Sequence, residues 1–338
     1  MRATISVIMP VYNAARFLPR SLPPLAAALA RGDIDELIAV DDGSSDSSAQ
    51  LAEQLGARVI SSGGRLGPGG ARNVAARAAR GDILWFVDSD VVVKDDCASR
   101  VSAAFAAPEI WAVFGSYDDA PAEKDFGSQY KNLLHHHHHQ KAKPDAATFW
   151  AGCGAVRRQS FLALSGFDAG RFPWPSVEDI DLGYRIRESG GRIVLDRNML
   201  GKHLKRWGLV ELVRVDIFRR AIPWTRLMLE RGAVTNDLNV SWIERARAAL
   251  AGLLVLSLAA AALGFAPPWT PLALLAAAAA ANAELLVMFT RKRGPLFAAA
   301  AIVFHQLYYL YSTAAFLWCW FEHKLAPRPR GYAVSKTS

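Results

Sequence analysis

Two groups of closely spaced carboxylates stand directly after short apolar runs. Asp41-Asp42, leading into Gly43-Ser44-Ser45-Asp46, follows Glu36 to Val40, and Asp88-Ser89-Asp90 follows Ile83 to Val87. A lone Asp-x-Asp in a turn is ordinarily a solvated cap, but carboxylates gathered at one edge repel one another unless a cation or a base-edge donor joins them. One or two carboxylates together with substrate phosphates suit Mg²⁺, with Mn²⁺ a close relative, and such a site would neutralise a diphosphate. Leu66-Gly-Pro-Gly-Gly-Ala-Arg-Asn73 then places glycines at a helix start, where free N–H groups attract anions, and Arg72 one turn in. That loop matches neither the Walker nor the dinucleotide spacing, so a simple turn into a helix is its plain alternative. Glu178-Asp179 opens an acidic helix, where carboxylates either cap or act on a proton. The five histidines His135 to His139 point around the whole circumference of a helix, so two or three at most can face one ion. They read as a solvated or acceptor-facing helix with no assigned chemistry.

The elements that must carry these groups alternate. Strands are expected at Ile5 to Met9, Glu36 to Val40, Ala57 to Ile60, Ile83 to Val87 and Ile110 to Phe114, with helices at about 15–31, 46–55, 69–80 and 95–106 between them. Such alternation builds a mostly parallel sheet, whose ligands bind beyond the carboxyl ends of the strands. After residue 120 or so it stops. A polar helix, a Pro/Trp-rich loop (Phe172-Pro-Trp-Pro), a helix from about 178 to 189 and a strand near Arg192 to Leu195 follow.

The formal charge of +8 is unevenly placed. Residues 1–201 carry net −2, 202–245 net +4 and 246–338 net +6. The excess flanks long apolar runs, which argues against a nucleic-acid partner and for a membrane surface. Residues 208–231 are basic and amphipathic, which suits an interfacial helix or a helix packing its apolar side on the head, and proximity to the apolar segments favours the membrane. Apolar segments at about 248–266, 269–289 and 296–321 are each long enough to span a bilayer, the first two joined at Pro267-Pro268. Glu284 and His305 should face neighbouring helices or water. Cys97, Cys153 and Cys319 are too few and too scattered for a disulfide framework or a metal site. The first residues form too short an apolar run for a signal peptide, so the head is expected in the cytoplasm.

Taken in order, Ser6-Val-Ile-Met-Pro-Val-Tyr-Asn, Asp41-Asp-Gly-Ser-Ser-Asp, Gly70-Ala-Arg-Asn and Phe86-Val-Asp-Ser-Asp closely resemble family 2 glycosyltransferases, which have the GT-A fold. The resemblance runs on through Gly152 to Arg157, Gly166-Phe-Asp, Ser176-Val-Glu-Asp-Ile-Asp-Leu-Gly-Tyr-Arg and Lys202-His-Leu-Lys-Arg-Trp, and covers about 1–207. It implies that Pro10, Tyr12 and Asp42, with Asp41 close by, hold the nucleotide base and ribose. Asp88 and Asp90 would form the metal and diphosphate motif, Asp90 as direct ligand, and Arg72 would meet the diphosphate. Asp179, with Glu178 beside it, would be the general base, and His203 matches a third metal ligand of some members. Lys205-Arg206-Trp207 looks like a shortened Gln-x-x-Arg-Trp motif of processive members; the Gln is absent, which puts processive synthesis in doubt. Trp150 and Trp174 are acceptor-side candidates because aromatic faces pack well on sugar rings, and Arg206 and Trp207 of that motif are the other two.

The expectation is therefore an α/β protein of GT-A type. It has a glycosyltransferase domain over 1–207, amphipathic juxtamembrane helices over 208–245, two to three transmembrane helices over 246–321 and a basic tail over 322–338. Its expected reaction is inverting transfer from a nucleotide-diphosphate sugar, a UDP-sugar first, to a lipid-linked or membrane-surface acceptor, assisted by Mg²⁺ or Mn²⁺. The expected place is a bacterial inner membrane, multi-pass, with the head in the cytoplasm. A polyprenyl-phosphate glycosyl synthase, which needs no base, and a non-catalytic nucleotide-sugar or glycan binding protein are the alternatives.

Overall fold

The computed structural model describes residues 2–232 and 241–325. It divides into two units, Met1–Trp207 and Gly208–Ser338. Of the expected basic tail, Arg328, Arg330 and Lys336 lie outside the described residues.

In the first unit, β1 (Ile5–Val11), β2 (Glu36–Asp41), β3 (Arg58–Ser61) and β4 (Ile83–Val87) are linked by α1 (Leu18–Ala30), α2 (Ser48–Gln54) and α3 (Gly67–Ala78). They run parallel in the order β3-β2-β1-β4. Every residue of β4 is buried, as a strand covered on both faces requires. Then come β5 (Val91–Val93), α4 (Cys97–Ala104), β6 (Ile110–Tyr117), α5 (Phe126–Lys141), β7 (Cys153–Arg157), α6 (Arg158–Ala163), α7 (Glu178–Glu188) and β8 (Arg192–His203). They extend the sheet as β7-β6-β8-β5.

Here the expected parallel character gives way to a mixed sheet. Strand β7 is antiparallel to both β4 and β6, and β5 is antiparallel to β8, while β6 and β8 run parallel. Neither β5 nor β7 announces itself: one has three residues, and the other, Cys-Gly-Ala-Val-Arg, is short and small, so its two neighbours make it a strand. Strand β8 reaches eight residues past the expected Leu195 and ends on His203, opposite Val91.

The second unit is helical. The amphipathic stretch is α8 (Leu209–Val215), a π-helical turn at Asp216–Ala221 and α9 (Ile222–Arg231), closed by Gly232 at φ 66°. Next follow α10 (Trp242–Ala262), α11 (Thr270–Ala281), α12 (Ala283–Arg293) and α13 (Pro295–Leu325). Among the described residues only α10 is long and apolar enough by itself to cross a membrane, or there are up to two candidate spans if α11 and α12 count as one. Those two meet at a 79° bend, so the expected segment 269–289 is broken. Asn282 sits at the break; its side-chain amide donates to the Ala278 carbonyl at 2.9 Å, the local competition that ends helices at Asn. The third expected span is one 31-residue helix, with His305, Gln306 and three tyrosines in its middle lowering its hydropathy.

This unit exposes many large apolar side chains and buries several polar ones. Leu256, Leu263, Phe265 and Trp318 are each two-thirds or more exposed, whereas Glu244, Asn282, His305 and Gln306 are buried. Tyr309 Oη lies 2.7 Å from Glu244 Oε2 and 3.1 Å from Asn282 Oδ1. Glu284, in contrast to His305, is exposed on the first turn of α12.

Candidate functional site

The ends of β1, β2, β4 and β8 bring the sequence-predicted residues to one side of the sheet. Val11 pairs with Asp41, which sets Pro10, Tyr12, Asp41 and Asp42 together. Asp42 is buried and accepts hydrogen bonds from the Leu66 and Gly67 amides at 2.8 and 2.9 Å, so it ties down the Gly-rich loop. Asp41 accepts from the Ser44 amide at 3.2 Å. Gly67 has φ +76°, and a Cβ there would lie 2.2 Å from the Pro173 carbonyl oxygen. Only glycine lets the Phe172 to Pro175 loop close onto this turn.

Arg65, not anticipated from the sequence, lies with its guanidinium 3.8 Å from the centre of the Tyr12 ring and donates to Tyr12 Oη. The same guanidinium is 5.2 Å from the Trp174 ring, so Trp174 stands on the Tyr12 side of the site.

Arg72 is the buried centre. Its Nη2 donates to Asp88 Oδ1, and its Nη1 is 3.7 Å from Glu178 Oε1. Its Nε and Nη1 have no hydrogen-bond partner although the side chain is buried, an arrangement that costs free energy until an acceptor arrives. Burial, then the charge of Asp179, pushes the Glu178 carboxyl up to about 7, with Arg72 opposing. Burial also raises Asp88; Arg72 pulls it back, and the charges of Asp90 and Asp179 add to the rise. At Asp90 burial pushes upward too, but the His203 imidazole and the Lys205 ammonium outweigh it and hold the carboxyl below its ordinary range.

A two-residue segment, Ala151-Gly152, joins the two chemical ends of the site. The Ala151 amide donates to Asp179 Oδ2 at 3.2 Å, and the Gly152 carbonyl accepts from the Asp88 amide at 3.1 Å. Helix α7 reaches this segment because its residue 183 is glycine; a Cβ there would lie 2.5 Å from the Phe149 nitrogen.

A divalent cation fits what is present. Asp90 Oδ2 and His203 Nε2 are 3.5 Å apart. Donors about 2.1 Å from one octahedral ion stand roughly 3 Å apart, so the pair can form one edge of its shell. Among the described residues no three His, Cys, Asp or Glu side chains enclose an ion by themselves, which leaves room for phosphate oxygens.

The acceptor-side candidates separate. Trp150 is buried and packs edge-on against Tyr117 at 4.8 Å, next to His135 and His139. Trp207 donates its amide to Ser128 Oγ at 2.8 Å and carries the Lys205 ammonium 3.9 Å above its ring. Arg206 is three-quarters exposed, with Nε 3.7 Å from Asp125.

The histidine run is half-buried rather than fully solvated: His139 is buried and the other four are partly exposed. His136 and His139 place Nδ1 2.7 and 2.9 Å from the Tyr117 and Gly115 carbonyls, and His139 is buried. Burial pushes His139 down to about 4, with the charges of His138 and His136 acting the same way, so it is a neutral packing ring at physiological pH. Helix α5 docks on β6, and that docking, invisible in five identical letters, decides the faces. The three cysteines are buried and free.

Residues 6–164 match the family described as Glycosyl transferase family 2. The chain is 26% identical over 241 residues to the validoxylamine A glucosyltransferase of Streptomyces hygroscopicus subsp. jinggangensis, covering 58% of this chain and 54% of that protein. It is 36% identical over 175 residues to Glycosyltransferase AglD of Haloferax volcanii, covering 47% and 27%. The chain thus spans about half or less of these relatives. Its fold is similar to that of the mannosyltransferase PcManGT from Pyrobaculum calidifontis, solved with GDP-Man and Mn²⁺. There the TM-score is 0.54 at 20% identity, over 94% of this chain and 88% of that one. Glucosyl-3-phosphoglycerate synthase from Mycobacterium tuberculosis gives 0.51 at 24% identity, over 68% and 81%.

Proposed function

We propose, from the premise that residues 6–164 form a family 2 glycosyltransferase domain with a GT-A-like α/β fold, that the chain transfers a sugar from a nucleotide-diphosphate donor to an acceptor hydroxyl with inversion. The observation that carries this is the buried Arg72 between Asp88 and Glu178, with the Ala151-Gly152 segment tying Asp88 to Asp179. It sets the group that would meet the leaving diphosphate beside the group that would take the acceptor proton.

Tyr12, with Pro10 and Asp41, supports the nucleoside of the donor, a UDP-sugar in the first instance. The unspent N–H groups of Arg72 meet the diphosphate as negative charge grows on it, the electrostatic contribution expected to weigh most. Asp90 and His203, with Asp88 nearby, would hold Mg²⁺ or Mn²⁺, which neutralises the diphosphate. Asp179 accepts the proton of the attacking hydroxyl, held in orientation by the Ala151 amide. Glu178 sets the local charge beside it.

The large apolar side chains that the second unit exposes support a membrane anchor, with the exposed Arg214, Phe218, Arg219 and Arg220 on its amphipathic stretch suited to anionic headgroups. A bacterial inner membrane, a cytoplasmic head and an acceptor that is lipid-linked or at the membrane surface belong to the same proposal.

Membranes containing the protein, supplied with UDP- and GDP-sugars and Mg²⁺ or Mn²⁺, should transfer sugar. Asp90→Ala and Asp179→Ala should each abolish that transfer. Intact turnover in both variants sinks the assignment, whereas survival of Asp179→Ala alone points to an acceptor that is already an anion, such as a polyprenyl phosphate.

A further inference from the structure

His203 does not stand alone at the end of β8. Its ring lies on that of Tyr117, centroids 4.3 Å apart and planes 17° from parallel. Tyr117, the last residue of β6, is in turn held from two other sides. The His135 ring lies 4.5 Å away and the Trp150 ring 4.8 Å away, edge-on. His135 touches Trp150 at 4.8 Å and His139 at 3.9 Å, its partner one helical turn on. The backbone of Tyr117 is fixed from the same helix, since His136 Nδ1 lies 2.7 Å from its carbonyl oxygen. The histidine run and Trp150 thus converge on one ring, and that ring has a face against the imidazole beside Asp90.

We infer that Tyr117 is a positioning residue that sets the plane of the His203 imidazole for the divalent cation, with His135, His136 and Trp150 holding Tyr117 in place. This rests on the cation site proposed above. A ligating imidazole must aim one nitrogen lone pair at the ion, and its partners outside the coordination shell usually enforce that aim through hydrogen bonds. Here a flat ring does so by stacking, which fixes the plane of the imidazole and leaves both nitrogens accessible. The run of histidines accordingly supports the cation site from outside and is not a metal site in its own right. The buried Trp150 belongs to the same support.

The test is Mn²⁺ affinity, measured by calorimetry and by Mn²⁺ electron paramagnetic resonance on the detergent-solubilised full chain, with and without pyrophosphate. Tyr117→Ala should weaken Mn²⁺ binding about tenfold or more, the size typical of lost second partners of metal ligands. Tyr117→Phe, which keeps the ring, should bind within about twofold of the parent. Tyr117→Leu keeps apolar bulk without a ring plane and should weaken binding like Tyr117→Ala, so the test survives if the alanine variant fails to fold. Unchanged affinity in Tyr117→Leu, alongside a clear loss in His203→Ala, overturns the role of Tyr117 and leaves the cation site standing. Unchanged affinity in His203→Ala removes the cation site and the inference together.

Discussion

At Arg72 one side chain serves two partners, and its removal reads out both. Arg72→Met takes the guanidinium from the partly exposed Asp88 and the buried Glu178, and breaking such a largely buried pair costs roughly 3 kcal/mol. The denaturation midpoint should fall accordingly, and nucleotide-diphosphate binding should weaken. Arg72→Lys should rescue little, because an ammonium cannot present the planar fork that spans both carboxylates. Glu178 makes a separate prediction. Its carboxyl titrates near 7 in the folded head against 4.5 unperturbed. Between those values the folded chain keeps a proton that the unfolded chain has released, so stability from this group is full at low pH. It declines as pH rises through the window, then levels off above about 7. Thermal unfolding of Glu178→Gln compared with the parent should therefore show the parent gaining relative stability as pH is lowered from 7.5 to 5. An equal difference at both ends would refute the raised carboxyl.

The elements decide how closely these residues meet, and α7 is the most exposed to test. Gly183→Val would drive a side chain into the backbone at Phe149, push α7 off the segment that orients Asp179, and cost about 3 kcal/mol by overpacking. Turnover should fall further than binding of the nucleotide, since the latter rests on β1, β2 and β4. What was legible in the sequence follows the same division. The strand-end carboxylates Asp41-Asp42 and Asp88-Ser89-Asp90, and Glu178-Asp179 at a helix start, could be read because each is contiguous and sits where an apolar run or a helix breaks. Arg65 on Tyr12 and Tyr117 under His203 could not, since those contacts join residues 53 and 86 positions apart and exist only once the sheet order is known. Strand β5 escaped for want of length, and the histidine run looked solvated because nothing in its own letters shows which face α5 turns to β6.

Over the whole molecule the two units differ in what they leave at the surface. The first encloses Trp85, Phe86 and Phe114, while the second leaves Leu256, Phe265 and Trp318 outside and keeps Glu244, Asn282 and His305 within. If a bilayer covers that second surface, alkaline carbonate washing should leave the full chain in the membrane pellet, and recovery in the wash would count against an anchor. The sheet also imposes an order of events during synthesis. Its edge strand β5, made early, pairs Val91–Val93 with Gly201–His203 at the end of β8, so the first unit stays open until residue 203 is made. Trp242, which begins the helix long and apolar enough to cross a membrane, follows about 40 residues later. At roughly 5 to 20 residues per second, the ribosome allows some 2 to 8 seconds between completion of the first unit and the start of that helix. If the second unit enters a bilayer, a slow step in closing β8 would overlap with insertion, and slower translation across residues 203–242 should then raise the yield of folded chain.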